Sequence, residues 1–95
     1  MTLEEIRFHK DYLVSLAEKN NAYDIRVFGS YARDENTKDR DLDLLIKLKN
    51  DADLFDLARL KRELGEYLKM DVDVLPDTCI NKHIKDQILA EAKPL

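Results

Sequence analysis

The sequence predicts an α+β protein: about three strands in a small mixed β-sheet, flanking helices, and the order α-β-α-β-α-β-α. Three segments have the composition or period-two alternation of strands: Tyr23 to Phe28, Asp41 to Leu48 and Met70 to Leu75. The segments around them repeat apolar residues at helical spacing. The 95 residues contain no repeat, low-complexity tract or Pro/Gly/Ser-rich linker, so we expect residues 1–95 to form a single domain.

The predicted helices have recognisable ends. Thr2 and Glu5 match a capping box, which predicts one amphipathic helix from there to Asn20-Asn21. Asp51 or Asp53 can cap the helix that follows the second strand. A last helix ends before Pro94, and its apolar residues are Ile80, Ile84, Ile88 and Ala92.

Composition excludes several classes of protein. A net charge of -4 argues against direct binding to nucleic acid, because such affinity comes mainly from cations that meet phosphates. No apolar stretch is long enough to cross a membrane, and residues 1–5 lack the pattern of a signal peptide. Cys79 is the single cysteine, so an internal disulfide is excluded, and we expect it to fill space in the core. These features predict a cytoplasmic protein.

Two carboxylates stand at alternate positions of the second strand. Asp41 and Asp43 should project from one face, about 6–7 Å apart along the chain. Carboxylate oxygens suit Mg²⁺, which completes its coordination shell with water and substrate phosphates. The same pattern also fits a half-exposed strand whose aspartates face water, and Asp-x-Asp alone does not decide between the two.

Gly29 and Ser30 follow the first strand directly. A glycine permits an unusual backbone turn, and free amides at the start of a helical turn can hold phosphate oxygens. Arg33 lies one turn later and can supply positive charge. An ordinary strand-to-helix turn explains the pair equally well, and the second glycine and the lysine of a Walker loop are absent.

A shared site restricts the topology of the sheet. One nucleotide can contact both Gly29-Ser30 and Asp41 with Asp43 if the first two strands are antiparallel. A helical crossover then places the third strand parallel to the second. Asp73 would lie beside the other two aspartates, which makes a two-metal site for phosphoryl transfer.

Residues 29–46 resemble the signature of the DNA polymerase β-like nucleotidyltransferase superfamily. The resemblance rests on Gly-Ser-Tyr-Ala-Arg followed by Asp-Arg-Asp-Leu-Asp-Leu-Leu-Ile, and on Asp-Val-Asp-Val-Leu at 71–75, which is similar to the minimal nucleotidyltransferase branch. It implies the nucleotidyltransferase fold, an ATP substrate and two Mg²⁺ ions. The implied roles are phosphate binding by Gly29 and Ser30, phosphate neutralisation by Arg33, and metal binding and catalysis by Asp41, Asp43 and Asp73.

Three positions leave questions within this resemblance. Asp71 is an alternative to Asp73 as the third carboxylate. Asp34 stands where the family commonly has glycine, and Arg40 where it commonly has serine before the first aspartate. Neither change removes a ligand, and both bear on rate and nucleotide affinity.

The resemblance implies an antitoxin that transfers AMP from ATP to a hydroxyl, expected to be a tyrosine, of a HEPN-type ribonuclease toxin. The two proteins would form a hetero-oligomer. One alternative is a non-catalytic antitoxin that masks the toxin through its amphipathic first or last helix. Another is a nucleotidyltransferase that acts on a small molecule or RNA, although such enzymes usually carry a further domain for the acceptor.

Overall fold

A computed structural model describes residues 2–33 and 41–95. Its helices are α1 (Leu3–Phe8), α2 (Lys10–Lys19), α3 (Leu54–Leu68) and α4 (Lys82–Glu91), with a 3-10 helix at Asp77–Cys79. Its strands are β1 (Ala22–Phe28), β2 (Leu42–Leu48), β3 (Val72–Pro76) and β4 (Lys93–Pro94). The predicted α+β class is confirmed. Asp34 and Arg40, the two departures from the family pattern, lie outside the described residues.

The strands form one mixed sheet in the order β3-β2-β1-β4. β1 pairs antiparallel with β2, and β3 pairs parallel with β2, as predicted. The sheet of the described residues has one strand more than expected, because β4 pairs with Arg26 and Val27 at the outer edge of β1. A two-residue strand that contains Pro94 shows no alternation, so its sequence indicates only the end of a helix.

The first predicted helix is divided at His9. Ile6 and Leu13 are both fully buried, and their spacing of seven residues fits a continuous helix, so the sequence contains no sign of the break. His9 instead joins two shorter helices with φ of -94° and ψ of 12°. At the start of α1, the Thr2 hydroxyl accepts the predicted capping bond from the Glu5 amide at 3.2 Å.

A bulge in β1 changes which side chains face inward. Tyr23 pairs with Lys47 and Arg26 with Leu45, so three steps along β1 match two along β2. Asp24 takes the extra position with a φ of 52°. Tyr23 is therefore 46% exposed, while Ile25 is buried. Strict alternation along Tyr23 to Phe28 would place Tyr23 on one face with Ile25 and Val27. The inserted residue removes Tyr23 from that face, and alternation in the sequence cannot reveal it.

The core lies between one face of the sheet and the first three helices. β2 contributes Leu42, Leu44 and Ile46. The buried residues of the helices that meet them are Ile6, Leu13, Leu16, Ala17, Leu60, Leu64 and Leu68. Residues at the intervening positions of β2 face the other way, and there Leu45 lines the same small cavity as Leu89 of α4. The sheet therefore has an inner face, which α1, α2 and α3 cover, and an outer face, which carries Asp41 and Asp43.

The structure settles two details of α3. Its cap is Asp53, in a capping box with Asp56, and not Asp51. Gly65 lies where the helix approaches the chain before β3, since an added Cβ would lie 3.2 Å from the Met70 carbonyl oxygen.

Two further features of the structure concern Cys79 and the length of the helices. Cys79 is exposed in the 3-10 helix, so the expectation that it fills the core was wrong. In the part of the chain that is described, no helix has the length and apolar character needed to span a bilayer.

Candidate active site

The turn after β1 has the conformation that the sequence suggested. Gly29 has a φ of 71°, in the left-handed region that favours glycine. The Arg33 amide donates to the Gly29 carbonyl at 3.2 Å, which closes one helical turn. Ser30 is only 6% exposed, and Tyr31 and Ala32 belong to the buried core. Burial of these three residues fixes the turn against the sheet.

Gly29 lies directly against Asp43. A Cβ at residue 29 would overlap the Asp43 Oδ2 atom and lie 3.2 Å from its Cγ atom. Phe28 pairs with Asp43 across the antiparallel strands, which explains the proximity. Any larger residue at position 29 would therefore displace the carboxylate or the turn.

Asp43 and Asp73 are partners in the parallel pairing of β2 with β3. Side chains at paired positions project from the same face of a sheet, so both carboxylates lie on the outer face. Asp41 precedes Asp43 by two residues at the entry to β2, which places it on the same side. The structure thus brings Asp41, Asp43 and Asp73 together beside Gly29.

The electrostatics of Asp43 reflect this grouping. Its pKa is raised by burial first, then by the negative charges of Asp73 and Asp41. The Arg33 guanidinium acts in the opposite direction and lowers the Asp43 pKa. The charge of the three carboxylates is therefore only partly compensated by this arginine.

Asp71 occupies a different position from Asp73. Its carbonyl oxygen accepts from the Leu42 amide at 3.1 Å and aligns the starts of β2 and β3. Its side chain is absent from the charges that shift the pKa of Asp43, whereas Asp73 is the strongest of them. The geometry favours Asp73 as the third carboxylate of the cluster.

Two charged residues near the site were not predicted from the sequence. The Nζ atom of Lys61 on α3 lies 3.5 Å from the Asp73 carboxylate, and both side chains are more than half exposed. Glu91, at the end of α4, lies 3.0 Å from the Arg33 guanidinium. No local signal could reveal either contact, because the partners lie far apart in the chain and meet only in the folded protein.

The donor chemistry of the cluster fits Mg²⁺. Asp43 is a half-buried carboxylate whose pKa is raised by burial and by two neighbouring carboxylates, and such a group is a favourable ligand for a hard cation. Within residues 2–33 and 41–95, no three carboxylate, imidazole or thiol groups surround one point closely enough to hold a metal ion by themselves. Mg²⁺ normally takes one or two carboxylates and completes its shell with water and phosphate oxygens, so Asp41 and Asp43 suit a metal that arrives with a nucleotide.

Comparison with known proteins shows the family to which this chain belongs. The family model described as "Nucleotidyltransferase domain" matches residues 9–95. The chain belongs to the nucleotidyltransferase domain family. This nucleotidyltransferase is 39% identical, over 97% of its length and 96% of the relative, to a Methanocaldococcus jannaschii protein whose name assigns it provisionally to the protein adenylyltransferases. It is 32% identical to the protein adenylyltransferase MntA of Thermococcus cleftensis, over 96% of its length and 93% of the relative.

Solved structures show the same fold. A structure described provisionally as a minimal nucleotidyltransferase superimposes with a TM-score of 0.89 at 39% identity, covering all of this nucleotidyltransferase and 97% of that chain. A toxin–antitoxin complex with AMP-PNP matches with a TM-score of 0.76 at 21% identity, over 90% of this chain and 70% of the other. A complex of the tri-AMPylated Shewanella oneidensis HEPN toxin with its MNT antitoxin gives 0.69 at 20% identity, over 93% and 69%. At these lower identities the likeness concerns the fold.

Proposed function

We propose that this nucleotidyltransferase is a Mg²⁺-dependent antitoxin that transfers AMP from ATP to a tyrosine hydroxyl of a HEPN-type ribonuclease partner. The observation that carries the proposal is the convergence of Asp43 with Asp73 in register, beside the Gly29 turn. Relatives named as protein adenylyltransferases over nearly the whole chain support AMP as the transferred group and a protein as the acceptor.

Each residue of the cluster has a proposed role. The Gly29-Ser30 turn would hold the β- and γ-phosphates, and Arg33 would neutralise part of their charge. Asp41 and Asp43 would bind Mg²⁺, with Asp73 contributing where a second ion binds. When bound, Mg²⁺ supplies positive charge that offsets the repulsion between the phosphates and the carboxylates.

The transfer itself exchanges one phosphorus–oxygen bond for another. The acceptor oxygen attacks the α-phosphorus of ATP, the bond from that phosphorus to the bridging oxygen breaks, and pyrophosphate leaves in line. Asp73 would accept the proton of the hydroxyl. Its exposure on the outer edge of the sheet leaves it accessible to an acceptor on another protein. The acceptor would therefore come from the partner, with which the chain would form a hetero-oligomer in the cytoplasm.

Incubation with ATP, Mg²⁺ and a HEPN-type partner, followed by intact mass measurement, tests the proposal. We expect the partner to gain one or more AMP units and to lose ribonuclease activity. Asp41→Asn and Asp43→Asn should abolish both effects, whereas Asp86→Asn, an exposed substitution on α4, should not. An unmodified partner in the presence of active, folded protein contradicts the proposal.

A second candidate function is antitoxin action by binding alone. In α1 and α2 the buried residues are Ile6, Leu13, Leu16 and Ala17, whereas Phe8 is 86% exposed. In α4 only Ile88 is buried, and Ile84 is 46% exposed. That face is available to cover a partner. Neutralisation that survives both Asp41→Asn and Asp43→Asn would favour masking. Transfer of AMP to small acceptors or RNA without a protein partner would favour the third alternative.

A further inference from the structure

We propose that Tyr67 is a second AMP acceptor, modified by the active site of another copy of this chain. This inference rests on the proposed transfer of AMP to tyrosine hydroxyls. It concerns the hydrogen bond between Tyr67 of α3 and His9 at the α1–α2 junction, which has no part in the proposed active site.

Tyr67 has a proton acceptor at its hydroxyl. The Tyr67 Oη atom lies 2.8 Å from the Nδ1 atom of His9, at the junction of α1 and α2. In the tautomer with its proton on Nε2, His9 accepts a hydrogen bond from the phenol. Histidine is the commonest side chain for taking up a proton as a hydroxyl attacks. The pair therefore has the arrangement of a nucleophile beside its general base.

The ring of Tyr67 is held in place and remains accessible. Tyr12 stacks on it with ring centroids 4.2 Å apart, and the His9 ring meets it edge-on at 5.3 Å. These two contacts already restrict the Tyr67 side chain, so it loses less conformational entropy when it enters an active site as an acceptor. Tyr67 nevertheless keeps 39% of its surface exposed, so its hydroxyl can be approached from solvent.

The modification must occur between two molecules. Tyr67 belongs to α3 and contacts the α1–α2 junction, and these helices cover the inner face of the sheet. Asp43 and Asp73 lie on the outer face. The Lys61 side chain of α3 reaches Asp73 past the edge strand β3, whereas Tyr67 contacts His9 and Tyr12, and the sheet lies between it and the carboxylates of its own chain. A second copy can present its open outer face to Tyr67.

The reaction balances without any further reactant. The Tyr67 oxygen forms a bond to the α-phosphorus of ATP held by the second copy, and the bond between that phosphorus and the bridging oxygen breaks. Pyrophosphate leaves, the phenolic proton passes to His9, and the product is tyrosyl-AMP. The modified residue gains a negatively charged phosphodiester on the helical layer.

The test uses the full chain with ATP and Mg²⁺, and peptide mass mapping of all four tyrosines. We expect one AMP unit at Tyr67 and none in Tyr67→Phe. Tyr23→Phe is the matched control, because Tyr23 is also exposed but no His9 contact supports it, and it should leave the modification unchanged. His9→Gln should slow modification about 100-fold, the size expected for loss of a general base, while its melting temperature shows that it is folded.

A mixture of two variants tests transfer between copies. Asp43→Asn retains Tyr67 but lacks the proposed metal ligand, and Tyr67→Phe retains the active site, so AMP should appear on Asp43→Asn chains only in the mixture. Absence of AMP at Tyr67, equal labelling of the other tyrosines, or no labelling in the mixture overturns the inference. A parallel reaction with a HEPN-type partner separates the two proposals: AMP on the partner but not on Tyr67 overturns only this one, and AMP on neither overturns both.

Discussion

The Asp43 carboxylate lies in the space that a side chain at Gly29 would fill. The contact joins the exit of one strand to the entry of its antiparallel neighbour, which is also where the proposed phosphate and metal ligands meet. Gly29 is thus required twice, once for its positive φ and once for the absence of a Cβ.

We expect Gly29→Ala to lower the free energy of unfolding by about 1–3 kcal/mol, because alanine is strained at this φ and its Cβ overlaps Asp43. AMP transfer should fall by more than about tenfold as the carboxylate moves, since small misplacements have large effects on rate. Urea unfolding and AMP incorporation provide the two measurements. Gly65→Ala is the control, because Gly65 has no positive φ and its added Cβ would meet the Met70 carbonyl oxygen and not a carboxylate; it should keep its transfer activity.

Asp43→Asn should abolish AMP transfer and yet raise the melting temperature in the absence of divalent cations. The fold raises the pKa of Asp43, so the stability linked to its neutral form is complete below the unfolded pKa and is lost as pH rises through the folded pKa. The melting temperature of the variant should therefore exceed that of the wild type most near neutral pH. The difference should vanish below about pH 4, where carboxyl groups are largely protonated.

Melting curves across this pH range measure the effect. Addition of Mg²⁺ with ATP should reduce the difference in melting temperature between Asp43→Asn and the wild type, because a ligand that binds only the folded wild type stabilises it. A neutral-pH melting temperature below that of the wild type without metal would contradict the electrostatic account.

Asp73→Asn and Asp71→Asn form a matched pair two residues apart. We expect Asp73→Asn to reduce AMP transfer by about 100-fold or more, because it removes the proposed proton acceptor. Asp71→Asn should stay within a few-fold of the wild type, since the backbone carbonyl that holds Leu42 is unchanged. Rates of AMP incorporation into a HEPN-type partner compare them. Equal losses would show that the third carboxylate has been misassigned.

Asn20 connects α2 to α3 through a fully buried amide. Its Nδ2 atom donates to the Leu16 carbonyl at 2.9 Å and to the Glu63 carboxylate at 3.0 Å. Its Oδ1 atom also accepts from the Arg59 guanidinium at 3.3 Å. Asn20→Ala removes all three bonds and should lower the free energy of unfolding by about 1–3 kcal/mol. Urea unfolding measures this, with the exposed Asn50→Ala expected to change stability by less than about 0.5 kcal/mol. Undiminished stability of Asn20→Ala would mean that water replaces the amide.

Local patterns in the sequence were sufficient to predict the features that depend on a single strand or turn. Period-two alternation from Asp41 to Leu48 predicted the strand, the face of Asp43 and the buried leucines opposite it. Gly29 predicted the unusual turn at the end of β1. Such features depend on the geometry of a single strand or turn, which neighbouring residues impose on one another wherever the segment lies.

Tertiary structure decided whatever depends on register and on distant contacts. The bulge at Asp24, the break at His9 and the fourth strand leave no periodic signal. The position of Asp73 opposite Asp43, the pairing of Lys61 with Asp73 and that of Glu91 with Arg33 join segments that are separated in the chain. The sequence determined which residues could form a phosphoryl-transfer site, and the packing of strands determined which of them meet, because register is set by the whole sheet and not by any one strand.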